Sequence, residues 1–194
     1  MAIASTYAET RAAVEHHEEH RPVMNQLGLW LFFVSESFLF AALLAARFYL
    51  AGTDKPEHLN QFLGLIITSV LLLSSFTAYR AETAIAHGDR SGFLRNLLAT
   101  IIMGAVFVVG VGFEWSTAEF SRHEPYGTAF FSMTGLHASH VISGVAMLAL
   151  VFVLGLRGHF SPEGYWGVEA TIKYWHFVDV VWVFFYPALY LMGW

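Results

Sequence analysis

The sequence predicts an all-α, polytopic membrane protein with five transmembrane helices. Of its 194 residues, 56 % are hydrophobic and only 13 % are charged, whereas soluble domains carry about 25 % charged residues. The apolar residues also run unbroken for about 20 residues at a time, which is long enough to cross a hydrocarbon core of roughly 30 Å. A soluble domain would instead divide them among amphipathic segments. The chain is therefore expected to fold in a bilayer.

The five helices are assigned to successive apolar stretches that follow a polar N-terminal tail. Residues 1–25 contain the run HHEEHRP and show no periodic apolar face, so an exposed tail or a short surface helix is expected there. The transmembrane domain then covers residues 26–194, with helices near 26–50, 61–80, 95–114, 128–156 and 173–193. Each is long enough to span the membrane at about 1.5 Å per residue, and the fourth is long enough to tilt or project. Charged, turn-forming segments connect them.

Composition excludes several classes of function. Cysteine is absent, which rules out disulfides, thiolate catalysis, cysteine-ligated zinc and iron–sulfur clusters. The net charge of −5 comes with no basic cluster, so nucleic acid is not an expected partner. No nucleotide-binding glycine loop or nucleophile motif is present.

The distribution of lysine and arginine predicts the orientation. If the N-terminus is cytoplasmic, seven of the ten basic residues lie on the inner side and three on the outer side. The inner residues are Arg11, Arg21, Arg80, Arg90, Arg95, Arg157 and Lys173, and the outer ones are Arg47, Lys55 and Arg122. The excess of positive charge favours a cytoplasmic N-terminus and a C-terminus on the outer side, where Trp194 would anchor at the interface.

One acidic residue is predicted deep in the first helix. Glu36 lies about ten residues into that helix, or roughly 15 Å deep, with only Ser35 and Ser37 as polar neighbours. A charge near the bilayer centre costs at least about 2.5 kcal/mol, and desolvation favours the protonated carboxyl. The functional interpretation is a neutral carboxyl that exchanges a proton. The alternative is a protonated glutamate that hydrogen-bonds a neighbouring helix and serves packing alone.

Two further pairs suggest an intramembrane polar network. His137 and His140 are three residues apart and share one face of the fourth helix. Because catalytic zinc sites usually need a third protein ligand, hydrogen bonding between helices is expected rather than a metal site. His176 and Asp179 share a face of the last helix, where Asp179 is expected to accept a hydrogen bond from a histidine or tryptophan ring nitrogen. A proton relay is the alternative for this pair.

Small residues and the tail histidines receive simpler interpretations. The run SSFT at 74–77 and Gly104, Gly110 and Gly112 are expected to permit close approach of helices, with no chemistry assigned. His16, His17 and His20 lie near several glutamates and resemble a metal-binding group. A solvated tail is the favoured interpretation for them.

Three segments of the chain resemble subunit III of the haem–copper terminal oxidases. The first is WGVEATIKYWHFVDVVWVFFYPALYLMGW at 166–194, which includes Glu169, and the second is GTAFFSMTGLHASHVISG at 127–144. The third consists of SESFLF together with FEW at 113–115. In it, Glu36 takes the place of the family's carbodiimide-reactive carboxyl, and Glu114 that of a glutamate at the outer end of a helix. The chain resembles the short, five-helix form of the family.

The resemblance implies an accessory subunit of a proton-pumping cytochrome c or quinol oxidase in aerobic respiratory electron transport. Such a subunit has no haem or metal of its own, since haem and copper lie in partner subunits, and it packs on the catalytic subunit I. It implies that the chain stabilises subunit I, supports proton uptake and binds phospholipid. The expected location is the plasma membrane of a prokaryote.

Other functions remain open from the sequence alone. A homologue associated with nitric oxide reductase would share the five-helix fold. In a self-contained transporter, Glu36, His137, His140 and Asp179 would line a pathway, although five helices without an inverted repeat argue against it. A purely structural membrane adaptor is a third alternative.

A partner is also expected on physical grounds. The intramembrane polar residues come from three predicted helices, and a small bundle offers little interior in which to satisfy them. Parts of the first, fourth or fifth helix are therefore expected to dock on a larger helical subunit.

Overall fold

The computed structural model describes residues 2–53, 56 and 59–193, with side chains from residue 23 onward. Within that part of the chain the secondary structure is helical, apart from an isolated bridge between Ser161 and Gly164. The described elements are α1 (Ala2–Ala51), α2 (Gln61–Ala86), α3 (Arg90–Thr117), α4 (Pro125–Leu156), α5 (Trp166–Tyr186) and a π-helical turn (Pro187–Leu191). The prediction of an all-α chain with five helices is confirmed.

The helices extend beyond the apolar stretches that predicted them, because a helix continues until its backbone is capped rather than stopping at the edge of the hydrocarbon. At the start of α2, the Asn60 side chain accepts a hydrogen bond from the backbone N–H of Leu63 at 3.0 Å. Asp89 accepts one from the N–H of Gly92 at 2.8 Å and caps α3 in the same way. A proline, Pro125, occupies the first position of α4, where its missing N–H costs nothing.

The last helix begins seven residues earlier than the predicted position 173, at Trp166. Glu169 in its first turn forms an ion pair with Lys173 one turn later, and such pairs stabilise a helix that continues outside the hydrocarbon. The regular helix ends at Tyr186, because Pro187 has no N–H to donate. The chain continues from there as the π-helical turn.

The first helix is continuous in its backbone from Ala2 to Ala51. The segment predicted as a tail or short surface helix is therefore helical where its backbone is described. The side chains of residues 1–22, which include the tail histidines, Arg11 and Arg21, lie outside the described residues, as do Lys55 and Trp194.

Among the described residues, four helical segments are long and apolar enough to cross a membrane. They are Val23–Ala51, Gln61–Ala86, Arg90–Thr117 and Pro125–Leu156. The α5 helix, which carries Glu169, Lys173 and Asp179, is not among them. Five helices are thus confirmed, whereas the fifth membrane span stays a prediction.

The chain divides into two compact units, Met1–Phe38 and Leu39–Trp194. In the described part of the first unit, the rings of Trp30 and Phe33 meet edge to face with centroids 5.8 Å apart. In the second unit, α2 packs against α3 and α5, and α4 packs against α3 and α5. These four contacts close a four-helix bundle. The end of α1 meets the bundle through Phe40, whose ring lies 4.8 Å from that of His140 on α4.

The core of the bundle is built from large aromatic rings set against glycines. Trp175 and Trp182 on α5 are completely buried. A Cβ added to Gly104 would lie 2.5 Å from the Trp175 ring, and one added to Gly110 would lie 2.4 Å from Ile67. Close approach is therefore confirmed at both glycines. At Gly112 the prediction is wrong, because a Cβ there would meet nothing within 4 Å.

This difference between glycines predicts opposite effects of the same substitution. Gly104→Ala is expected to destabilise the bundle by about 1–3 kcal/mol, because the new methyl group overpacks the Trp175 ring. Gly112→Ala is the matched control and is expected to be neutral or stabilising by up to about 1 kcal/mol through higher helix propensity. Thermal unfolding of the two variants in mild detergent measures the difference. Equal shifts in Tm would contradict the packing described for Gly104.

Candidate functional site

Polar side chains on and after α5 meet partners from the other helices at successive levels along the bundle. Three groups are distinguished by their central acid. The Glu169 cluster comprises Glu82, Glu169 and Lys173, the Asp179 cluster comprises Ser75, His176 and Asp179, and the Glu114 cluster comprises Arg47, Glu114, Tyr126 and Tyr190. His137 lies between the Asp179 cluster and the Glu114 cluster, beside Val178 and Trp182.

The Glu169 cluster lies at the start of α5 and remains partly exposed. The side chains of Lys173 and Glu169 retain 34 % and 27 % of their accessible surface, and the Lys173 ammonium lies 5.5 Å from the centroid of the Trp166 ring. Glu82 near the end of α2 interacts electrostatically with both members of the pair. Partly solvated pairs of this kind add little to stability. The cluster forms a charged, partly exposed end of the interface between α2 and α5.

The Asp179 cluster joins α5 to α2 in the interior. Asp179 is 3 % exposed, and its Oδ2 accepts a hydrogen bond from the Ser75 hydroxyl. The same hydroxyl lies 3.0 Å from Nδ1 of His176. Oδ1 of Asp179 is buried and has no hydrogen-bond partner among the described residues. The cluster therefore contains a buried carboxyl, that of Asp179, with one hydrogen-bonded oxygen and one without a hydrogen bond. The Ser75 hydroxyl links this carboxyl to the imidazole of His176.

The hydrogen bond to Asp179 differs from the one predicted from the sequence. A ring nitrogen was expected as the donor, but the donor is a serine hydroxyl, because α2 faces α5 with its small residues at this level. Ser74 is bonded too, since its hydroxyl accepts the indole N–H of Trp175 at 2.9 Å. Thr77 bonds Thr100 on α3 at 2.7 Å. The SSFT run, to which no chemistry was assigned, thus supplies side-chain hydrogen bonds from α2 to both neighbouring helices.

His137 is completely buried and connects α4 to α5. Its Nε2 lies 3.1 Å from the carbonyl oxygen of Val178 and donates to it, and its ring packs 4.6 Å from that of Trp182. Its Nδ1 has no partner among the described residues. His140 is half-buried and donates from Nδ1 to the carbonyl of Leu136 in its own helix, at 2.9 Å. The two histidines therefore serve different contacts, although they share one helix face.

The Glu114 cluster binds the π-helical turn to the bundle. Glu114 is 3 % exposed, and its Oε2 accepts the hydroxyl of Tyr190 at 2.7 Å. Tyr126 on α4 donates its hydroxyl to the carbonyl of Leu189 in the same turn, at 2.7 Å. Gln61 at the start of α2 donates to the carbonyl of Tyr190 at 2.9 Å. Three helices thus hold the turn, and π-helical geometry is often found at functional sites.

A buried cation completes this cluster. Arg47 near the end of α1 is fully buried, and its guanidinium carbon lies 4.8 Å from the centroid of the Tyr126 ring. Its Nη1 donates to the carbonyl of Gly52 at 2.9 Å. A desolvated cation over an aromatic face contributes about 2 kcal/mol. Through its contact with Tyr126, Arg47 therefore stabilises the packing of the end of α1 against α4.

The predicted site residues are only partly brought together. Ser75 links His176 to Asp179, whereas His137 and His140 make separate contacts. Glu36 lies in the first unit, one residue before Ser37, whose hydroxyl bonds the Phe33 carbonyl at 2.7 Å. Proton exchange at Glu36 stays a prediction. In the described part of the chain, no group of three or more histidine or acidic side chains is placed to hold a metal ion.

Sequence reasoning missed Arg47, Ser75, Tyr126 and Tyr190. Arg47 was counted as a charge of the outer side, yet its position inside an apolar stretch was a signal of burial. Hydroxyl residues within the apolar α2 were a similar signal for Ser75. The unbonded atoms of Glu114, His137 and Asp179 are buried within the chain, so they are not the groups that a docking subunit would satisfy, and docking of the first, fourth or fifth helix on a larger subunit stays a prediction.

The Glu114 cluster generates a prediction about stability. Tyr190→Phe leaves neither oxygen of the buried Glu114 carboxyl with a partner among the described residues, so it is expected to cost about 1–3 kcal/mol. Tyr186→Phe is the matched control, because Tyr186 stacks on Tyr190 at 5.1 Å but does not bond Glu114. Unfolding of the detergent-solubilised variants, followed by circular dichroism, measures the two effects. A loss in Tyr186→Phe as large as that in Tyr190→Phe would show that removing either tyrosine hydroxyl destabilises this turn, and would contradict a specific contribution of the bond to Glu114.

Comparison with known proteins places this arrangement in a family. A family model described as cytochrome c oxidase subunit III matches residues 6–194. Cytochrome c oxidase subunit 3 of Thermostichus vulcanus is 35 % identical over 190 residues, covering 94 % of each chain. The proteins of the same name from Dugong dugon and Gadus morhua are each 36 % identical and cover 90 % and 92 % of this chain, which in turn spans 73 % of each of them. The chain belongs to the cytochrome c oxidase subunit III family.

Proposed function

We propose that this chain is the accessory subunit III of a proton-pumping haem–copper oxygen reductase in aerobic respiratory electron transport. In this proposal it packs on the catalytic subunit I, stabilises it and supports proton uptake, while haem and copper are held by partner subunits. The observation that carries the proposal is the family match over residues 6–194, which includes the whole of the four-helix bundle. The relatives named above carry the name cytochrome c oxidase, which favours an oxygen reductase over a nitric oxide reductase.

The bonding of the interior supports a non-catalytic role for the chain. His137 is bonded to a backbone carbonyl of α5, His140 to one in its own helix, and Asp179 to a serine. These side chains are fixed by the fold rather than directed together toward a common cavity. Their hydrogen bonds stabilise helix packing, and electron transfer is assigned to other subunits.

Phospholipid is proposed to cover apolar parts of the bundle surface. Phe62 on α2, Phe113 on α3 and Phe184 on α5 are 73 %, 57 % and 63 % exposed. Rings on three different helices cannot all face one partner helix, so acyl chains are the simplest cover for those that a partner leaves free.

We also propose that α5 crosses the membrane, with the N-terminus inside and the C-terminus outside. The polar groups of α5 do not prevent this, since Lys173 pairs with Glu169 and Asp179 bonds Ser75. The helix packs along α2 and α4, which are both candidate spans.

The absence of cysteine allows the topology to be tested cleanly. Single variants Ser161→Cys and Gly193→Cys place a thiol on either side of α5, and Ser121→Cys marks the α3–α4 connection. A membrane-impermeant maleimide is expected to label Gly193→Cys and Ser121→Cys from outside in intact cells, and Ser161→Cys only in inverted vesicles. Labelling of Ser161→Cys and Gly193→Cys from the same side would contradict a fifth span.

The relatives differ in the share of their length that this chain covers. The chain covers 94 % of the Thermostichus vulcanus relative but 73 % of the Dugong dugon relative. The plasma membrane of a prokaryote is proposed as its location. Fractionation of native membranes with an antibody to this chain tests the location, and recovery in an organelle would contradict it.

A proton-exchanging role of Glu36 predicts selective chemical modification. A hydrophobic carbodiimide reacts with protonated carboxyls in apolar surroundings, so peptide mapping of the labelled complex is expected to find the adduct at Glu36. The variant Glu36→Gln is expected to lose the adduct, while Glu124→Gln, in the α3–α4 connection, serves as the control and keeps it. Labelling confined to other acids would remove the basis for this role.

Removal of the subunit tests the proposed function itself. The stripped oxidase is expected to reduce oxygen at first, since this chain is proposed to hold no redox centre, but to take up protons more slowly and to lose activity faster during turnover. Oxygen consumption over time and proton uptake in vesicles, with and without the purified subunit added back, measure both effects. Immediate loss of haem or copper would mean that the chain helps to build the metal site, and unchanged rate, pumping and lifetime would leave only a structural adaptor.

A further inference from the structure

A stripe of polar residues runs along the interface between α2 and α5. On α5, Glu169, Lys173, His176 and Asp179 follow one another at intervals of three or four residues and so share one face. They meet Glu82 at one end of the stripe and Ser75 at the other. The stripe begins at Glu169 in the partly exposed first turn of α5 and reaches the buried carboxyl of Asp179 about 15 Å further along the helix.

The buried end of the stripe contains an acid without a cationic partner among the described residues. Asp179 is bonded through Oδ2 to Ser75, and its Oδ1 meets no described partner. From α4, the nearest titratable groups are His137 and His140, which are bonded to the carbonyls of Val178 and Leu136. From α2, Glu82 interacts electrostatically with Glu169 and Lys173 and lies about 10 Å further along that helix from Ser75, whereas Tyr79 and Arg80 line a cavity between α2 and α3. The neighbour able to exchange a proton with Asp179 is therefore His176, through Ser75.

The geometry of Ser75 allows two arrangements of hydrogen atoms. A serine hydroxyl has one hydrogen to donate and can accept further bonds. When Asp179 is ionised, Ser75 donates to it and His176 donates from Nδ1–H to the Ser75 oxygen. When Asp179 is protonated, its O–H donates to Ser75, Ser75 donates to the bare Nδ1, and the imidazole hydrogen lies on Nε2. Both arrangements satisfy the same heavy-atom positions.

We propose that His176, Ser75 and Asp179 form a proton-binding relay that exchanges one proton with the membrane surface at the Glu169 cluster. A proton adds to Nε2 of His176, the Nδ1 hydrogen moves to the Ser75 oxygen, and the original Ser75 hydrogen moves to Oδ2 of Asp179. One N–H bond forms and one breaks on the imidazole, and one O–H bond forms on the acid. No electron is transferred, and release follows the reverse order.

This relay deepens the proposed function and rests on it, because a proton held on this chain matters to the oxidase only if the chain supports proton uptake. Glu82 and Glu169 place two carboxylates at the partly solvated end of the stripe, where they raise the local concentration of protons. Asp179 then provides a binding position inside the membrane. The relay is distinct from Glu36, which lies on α1 in the other unit.

Infrared difference spectroscopy on the intact oxidase complex tests the relay. Lowering the pH is expected to produce the carbonyl stretch of a protonated carboxyl that is absent in Asp179→Asn. In Ser75→Ala the link to His176 is broken, so exchange of that proton for deuterium is expected to slow by about 100-fold, in line with the loss of a positioned proton-transfer group. Thr77→Val is the matched control, because it removes a hydroxyl from the same helix but one that bonds Thr100 and not the relay. The exchange rate of the Asp179 proton in this variant is expected to be normal.

Two results would overturn the relay. One is a carboxyl band that Asp179→Asn leaves in place, and the other is equal exchange rates in Ser75→Ala and Thr77→Val. Failure of the relay and failure of the proposed function are distinguishable. A titrating Asp179 band in an oxidase whose proton uptake does not change on removal of the subunit supports the relay and contradicts the function. Slower proton uptake after removal of the subunit, with no Asp179 band in the intact complex, supports the proposed function and contradicts the relay.

Discussion

The lack of hydrogen-bonding solvent inside a bilayer is the constraint on which the rest of this structure depends. Every polar group in hydrocarbon needs a partner within the protein, because an unsatisfied one costs several kcal/mol. The α5 helix carries the indole N–H groups of Trp175 and Trp182 and the carboxyl of Asp179, and the faces of its neighbours supply their partners. Ser74 and Thr68 on α2 accept the two indole hydrogens, each at 2.9 Å. The bundle thus provides hydrogen-bond partners for both indole N–H groups of α5 and for one oxygen of Asp179, while the other oxygen has none among the described residues.

Close packing makes these bonds possible. The Trp175 ring lies between Gly104 on α3 and Gly144 on α4, where added Cβ atoms would approach it to 2.5 and 2.8 Å. Side chains larger than glycine at these positions would displace the ring, and its N–H would then lie too far from the Ser74 hydroxyl for a hydrogen bond. Small residues and polar residues therefore act together. The small residues let the helices approach closely, and at that distance the polar residues form hydrogen bonds between helices.

The sequence predicts the helices well because long apolar stretches are a strong signal of membrane spans. It also identifies His137, His176 and Asp179, since ionisable residues within such stretches stand out. It does not identify their partners, because a carboxyl inside a membrane can bond any donor, and the choice of Ser75 depends on how α2 is rotated about its axis. The burial of Arg47 and the π-helical turn at Pro187–Leu191 likewise depend on packing, which a single sequence does not specify. Family resemblance supplies the function, because the residues themselves form no recognisable catalytic set.

In this account α5 is the helix around which the bundle is packed, and in the proposed topology it is also the helix along which polar groups extend into the membrane. The most direct measurement of that central position is amide hydrogen exchange, followed by mass spectrometry, on the detergent-solubilised oxidase. Exchange of buried amides requires local or global opening of the structure, so a helix whose large side chains are completely buried among its neighbours, as those of α5 are, is expected to open late. We expect the central part of α5 and the facing part of α2 to exchange more slowly than α3 or the beginning of α1. Exchange of α5 before α3 and α4 would contradict the claim that the other helices are organised around it.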